Sequence, residues 1–257
     1  AHITAAAHIT AAAHRITQGP VAQAENTSQA LESSNIIRVP ADASLQKAIE
    51  QVADGGVIEI SSGTYQNSGK AFSISNTHKG FTLRAAQGAS VTLTGAGSHD
   101  ILRYQNNNLA NGKMVKFEGL VFANGYSATD GVAGGVTLRY AQAAFTNCTF
   151  ENNNGNQPAS GGGAMVISSD SLAYFTQVRW LDNRARQYGG GLAISDGAQV
   201  SLNQAEFFRN RTNFPGHSLV AAGGGIHVGN ADLAVYNSYF EDNQAGYVGG
   251  AIYVIGS

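Results

Sequence analysis

The sequence predicts an all-β chain folded as a single parallel β-helix, a solenoid of stacked coils, and three observations carry that prediction. Glycine pairs recur at Gly134-Gly135, Gly162-Gly163, Gly190-Gly191, Gly224-Gly225 and Gly249-Gly250, each followed by a short apolar run such as "AMVI" or "AIYV". A second marker precedes each pair: "FENN" ending at Asn153, "WLDN" at Asn183, "FFRN" at Asn210, "FEDN" at Asn243, and the variant "FANG" at Gly125. Between them lie strands such as "AFTNCTF" and "SLNQAEF", with apolar residues at every second position and no helical period. No single unit buries its apolar face alone, so stacking is what makes a core.

Each column of the repeat then has a physical role. Strands stacked about 4.8 Å apart place Phe122, Phe150, Trp180, Phe207 and Phe240 in one inward aromatic column, with Leu120, Cys148, Val178, Ala205 and Ser238 in a smaller one beside it. Asn153, Asn183, Asn210 and Asn243 form an amide ladder at a turn, where Asn tolerates left-handed backbone. Asn147, Gln177, Gln204 and Asn237 are expected to repeat that device. The glycines read as tight turns into the first strand of each coil, not as a phosphate cradle: no helix start or Lys follows them, and they recur five times.

Upstream of the repeats, Leu45, Ala48, Ile49 and Val52 share one helical face. They predict a helix over about 44–54, with Asp42 or Ser44 at its start and Gly55 after its end. Such a helix would plug the first coil, and coils would run from about 57 onward. Residues 1–34, opening "AHITAAAHIT", read as an extended or disordered arm, and 35–257 as the solenoid. The arm has two readings, a remnant beside an export signal or an added leader, because His and Thr interrupt any apolar signal core.

The helix followed by "GGVIEISSGTY" resembles the opening of pectin-lyase-like right-handed parallel β-helix proteins, over roughly residues 36–105. Later units, with "GGAI" at Gly249–Ile252 and "FEDN" at Phe240–Asn243, are similar to the GGA(I/L/V) and FxxN repeats of chlamydial-type polymorphic outer-membrane proteins. The resemblance implies this fold and a secreted or cell-surface setting. It implies little about activity, because one fold hosts lyases, hydrolases, adhesins and shells.

Composition excludes several function classes. Charged residues make up 12% and the net charge is -2, so no electrostatic case exists for nucleic acid. No run of about 18 apolar residues suggests a membrane span. A single cysteine, Cys148, precludes an internal disulfide and a cysteine metal site, and it reads as a packed thiol.

For catalysis, the weak candidate is the column Asp182, Arg209, Asp242, which reads first as a salt-bridge ladder, since a retaining glycosidase sets two carboxyls about 5 Å apart with no cation between them. Asp170, Asp196 and Asp232 read as turn residues, and His217 and His227 as loop or surface histidines. No cofactor or metal is expected. Tyr126, Tyr188, Phe214 and Tyr247 are the expected ligand or partner contacts. The chain stops one strand into a new coil, which suggests either a fragment or an end covered by another copy. Ile3 and Ile9 of the arm, with Ile252 and Val254, are the expected assembly contacts in a head-to-tail fibre.

The sequence therefore points first to a non-enzymatic extracellular or cell-surface structural or adhesive protein. Self-association, a polysaccharide or another surface protein would be its partners. A polysaccharide-binding module and a divergent polysaccharide lyase or hydrolase follow as alternatives.

Overall fold

A computed structural model describes residues 35–75, 77–109, 112–156, 161–212 and 221–256. The arm, Ile3, Ile9, Phe214 and His217 therefore lie outside the described residues. The described residues form a parallel solenoid of four sheets, three long and one short, to which successive coils add parallel strands. One sheet has eight strands, from Ile36–Val39 to Asp232–Tyr236. A glycine-led sheet has seven, from Phe72–Ser75 to Ile252–Ile255, and an aromatic sheet has seven, from Gly63–Tyr65 to Tyr239–Glu241. The fourth is a short sheet of Tyr126–Ser127, Asn154–Gly155, Arg184–Ala185 and Arg211–Thr212.

Period-two alternation decides what faces inward. Phe122, Phe150, Trp180 and Phe207 are fully buried, and from Phe122 to Phe240 consecutive rings stack with centroids 4.9, 5.6, 4.3 and 4.8 Å apart. The smaller column is buried beside them from Leu120 to Ala205. A second inward column, unanticipated from the sequence, stacks Phe117 on Phe145 at 4.6 Å and Phe145 on Phe175 at 5.1 Å. It meets the first edge-on, with Phe145 5.6 Å from Phe150 at 63°, the geometry in which a positive ring edge faces a negative ring face.

The asparagine ladder exists, but its backbone role differs from the expectation. Left-handed backbone belongs to the preceding residue in each rung, Asn152, Asp182, Arg209 and Asp242, with φ of 53, 54, 51 and 53°. That bend turns the next residue inward. Asn183 then donates from Nδ2 to the Phe150 carbonyl and to Asn210 Oδ1, each at 2.9 Å. Its own Oδ1 accepts from the backbone N–H and from Nδ2 of Asn153, each at 3.0 Å. Asn147, Gln177, Gln204 and Asn237 are a second left-handed corner, with φ of 52, 55, 54 and 49°. Gln177, Gln204 and Asn237 stand exposed, so this row is a bend and not a second buried ladder.

The glycine register is also corrected. Strand pairing of Val136 with Met165, Met165 with Leu192, Leu192 with Ile226 and Ile226 with Ile252 aligns Gly134, Gly163, Gly190, Gly224 and Gly250 in one column. A Cβ on Gly190 would lie 2.4 Å from the Gly224 carbonyl oxygen, and one on Gly224 the same distance from that of Gly250. Close approach of successive rungs, and not only turning, therefore demands glycine there.

The helix spans Leu45–Gln51, shorter than expected, with Leu45, Ala48 and Ile49 buried against the solenoid. Ser44 occupies the position before it without a side-chain cap, and Asp42 instead accepts from the Arg38 N–H at 2.7 Å. Gln46 anchors the helix to an edge strand through the N–H and carbonyl of Ser73.

Candidate functional site

Because Phe150, Trp180, Phe207 and Phe240 point inward, the residues on either side of them point out of the aromatic sheet. One outward row is Thr149, Arg179, Glu206, Tyr239, and the other is Glu151, Leu181, Phe208, Glu241. Two polar members pair within the face: Arg179 Nε donates to Glu206 Oε2 at 2.9 Å. Phe208 and Tyr239 sit diagonally on neighbouring rungs with ring centroids 5.5 Å apart, and Tyr239 is 39% exposed. The Tyr239 hydroxyl donates to Glu241 at 3.1 Å, which holds its proton above the usual phenol range. Leu181 lies beside Phe208 on the previous rung. The result is an apolar and aromatic strip beside the Arg179–Glu206 ion pair, on a rigid sheet.

Phe208 and Tyr239 were not among the residues singled out from sequence. The signal was present in "EFF" and "SYF": two successive aromatics on a strand cannot both point inward.

At the edge of this face, Arg209 grips Asp182 with two hydrogen bonds of 2.8 Å, from Nε and Nη2 to the two carboxylate oxygens. That pairing holds the Asp182 carboxyl below its usual range. Asp242, next along the column, adds charge attraction to Arg209. The column thus holds one exposed ion pair with a second carboxylate nearby rather than a full ladder, and both Asp182 oxygens are engaged.

The other candidates are scattered. Tyr126 lies on the short sheet, half-buried, its hydroxyl accepting from Asn156 Nδ2 at 3.4 Å. Tyr188 packs on the outside of the glycine-led sheet against Ala133, Val166 and Ala193. Tyr247 is 60% exposed in a bend. Ile252 is half-buried and Val254 exposed on the strand Ile252–Ile255. Asp170 and Asp196 occupy left-handed turns but not the same position, since register aligns Asp196 with Ser169 and Asn230, and Asp232 is within a strand.

His227 is not a loop residue. It sits on the strand Ile226–Gly229, between Tyr188 at 4.5 Å and Tyr253 at 5.7 Å, and burial pushes its pKa down to about 4. Cys148 is buried, its thiol donating to the Phe117 carbonyl at 3.4 Å, and burial pushes its pKa up to about 12. Among the described residues no group of three His, Cys, Asp or Glu side chains is placed to hold a metal ion. A hollow of about 580 Å³ beside the helix is lined by Gln46, Glu50, Lys70 and Lys79. Lys79 there donates to the Val52 carbonyl at 2.9 Å, tying the seam between helix and coil.

No family model matches the chain. A stretch of 123 residues, 48% of this chain, is 32% identical to part of the metabotropic glutamate receptor-like protein R of Dictyostelium discoideum, and it spans 7% of that protein's length. Among solved structures, the pectin methylesterase from Aspergillus niger is similar over 87% of this chain and 86% of its own, at 12% identity and a TM-score of 0.38. A likeness that low carries no argument about activity. No helix among the described residues is long and apolar enough to cross a membrane.

Proposed function

We propose that the chain is a non-enzymatic adhesive solenoid of an extracellular or cell-surface setting, which engages a partner through the outer face of its aromatic sheet. The observation that carries this reading is the pairing of half-buried Phe208 with exposed Tyr239, flanked by Leu181 and by the Arg179–Glu206 ion pair. Aromatics displayed on a rigid frame lose little conformational freedom on contact, and they dominate binding energies where they are desolvated.

Two further observations support the setting. The repeats resemble those of chlamydial-type polymorphic outer-membrane proteins, and part of the chain is similar to a receptor-like protein. Self-association through Ile252 and Val254 belongs to the same proposal, supported by the exposed apolar side chains of their strand.

The test is adhesion of the purified chain to cells and to immobilised extracellular glycans and proteins. Phe208→Ala and Tyr239→Ala should each weaken it about tenfold, as expected for interface anchors worth more than about 1 kcal/mol, whereas Lys116→Gln on the eight-stranded sheet should not. Adhesion indifferent to both aromatic changes overturns the proposal. Polysaccharide turnover abolished by Asp182→Asn would replace it with an enzymatic reading.

A further inference from the structure

Two arginines stand directly over one another on the short sheet. Arg184 and Arg211 are paired in parallel register, both exposed, and they point outward because the residues after them, Ala185 and Thr212, are buried. Neighbouring strands lie about 4.8 Å apart, and like charges directly opposite weaken strand pairing. Elsewhere the described strands avoid this arrangement. Arg38, Glu59, Arg84 and Glu118 alternate in sign along the eight-stranded sheet, and Arg179 meets Glu206 on the aromatic sheet. Among the described strand pairs, Arg184 and Arg211 are the one pair of like charges in register.

No ion pair joins either arginine to a carboxylate among the described residues. Asp182 feels the Arg211 charge through space, but both of its oxygens are taken by Arg209. The rungs before carry uncharged Tyr126 and Asn154 at the same outward position, and the rung after carries exposed Gln244, bridged to Arg211. Tyr126, Asn154, Arg184, Arg211 and Gln244 therefore form a straight row along the solenoid axis. Phenol and amides flank two adjacent guanidinium groups.

We propose that this row binds a linear acidic polysaccharide lying along the solenoid axis, with successive oxyanions on Arg184 and Arg211. A guanidinium presents a planar fork of donors that matches carboxylate or sulfate oxygens. One rung is close to the length of one sugar ring in an extended glycan, so one anion per sugar keeps register with one arginine per rung. Asn154 and Gln244 supply donors and acceptors for ring hydroxyls, and the Tyr126 ring offers an apolar face for a sugar. Nucleic acid fits less well, because the chain's net charge of -2 provides no basic field around the row. The proposal goes beyond the adhesive reading, since the row is on a different sheet from Phe208 and Tyr239, and either can fail alone.

The experiment is calorimetric titration of the full chain with heparin, with polygalacturonate and with neutral dextran at low and at physiological salt. Binding of heparin or polygalacturonate, weakened by salt, is expected, and which of the two binds identifies sulfate or carboxylate as the oxyanion. Arg184→Gln with Arg211→Gln should lower that affinity at least tenfold and flatten its salt dependence, whereas Lys116→Gln should leave both unchanged. The double variant relieves repulsion, so its thermal midpoint should equal or exceed that of the parent, which separates lost binding from lost folding. Equal binding of dextran, retained affinity in the double variant, or no binding to either acidic glycan would overturn the proposal. Duplex DNA bound as tightly and with the same sensitivity to the double variant would overturn its assignment to a polysaccharide.

Discussion

Asp182 and Asn183 are neighbours in sequence, and each belongs to a column that climbs the solenoid, yet the two columns hold the protein in different ways. Asn183 is fully buried, and its side chain exchanges four hydrogen bonds with Phe150, Asn153 and Asn210. Asp182 is bonded bidentately to Arg209, but their side chains are 35% and 54% exposed. Geometry alone would rank the charged pair higher. Burial reverses the order, because water replaces a lost surface ion pair but cannot reach an amide left bare inside the coil.

The largest test of that contrast is Asn183→Ala. It leaves the backbone N–H and the Nδ2 of buried Asn153 without their shared acceptor, and should lower unfolding free energy by roughly 3–5 kcal/mol in urea titration. A loss below about 1 kcal/mol would mean that the ladder is not what holds the rungs.

Protonation offers a second, smaller probe of burial. His227 has its pKa lowered from 6.5 to about 4, so below the unfolded value the unfolded chain takes up a proton that the folded chain refuses. Stability should therefore fall as pH drops from about 6.5 to 4 and level off below. His227→Gln should flatten that part of the pH profile of the thermal midpoint; an unchanged profile would show that the imidazole is not buried in the native state.

Trp180 sharpens the comparison from the other side, because its indole N–H is buried without a hydrogen-bond partner. Trp180→Phe keeps the stack between Phe150 and Phe207, and removes an unsatisfied donor while opening a small void. These effects oppose one another, and the net change should stay within about 1.5 kcal/mol. A markedly larger loss would show that ring volume, not donor satisfaction, governs this column.

The smallest expected effect is that of Asp182→Asn. With its folded pKa depressed by Arg209, the pair's contribution is present above the unfolded carboxylate range and fades as pH falls through the lowered value. At physiological salt the variant should unfold with the parent, and any difference should emerge only at low ionic strength. A clear loss at high salt would contradict the view that this column is an exposed decoration.

Much of this was legible in the repeats. Period-two alternation placed Phe150, Trp180 and Phe207 inside, and the recurrence of Asn at a fixed distance after them marked the ladder, because both follow from local geometry repeated at each rung. Register was less legible. The glycine pairs looked aligned by their first members, but strand pairing set Gly224 over Gly250, since only the contact between rungs shows where a Cβ has no room. The outward strip of Leu181, Phe208 and Tyr239 was also hidden, as it joins residues of three rungs that no single repeat contains.

What the sequence determined by itself was the repeating unit: which residues alternate inward, where aromatics and amides recur, and hence that the chain must stack to bury them. Which left-handed residue makes each corner, which charges meet their opposites and which two arginines meet each other were decided by the tertiary structure. The reason is physical: a strand's own period fixes the face of each side chain, whereas its neighbours across a rung depend on loops of unequal length that set the register.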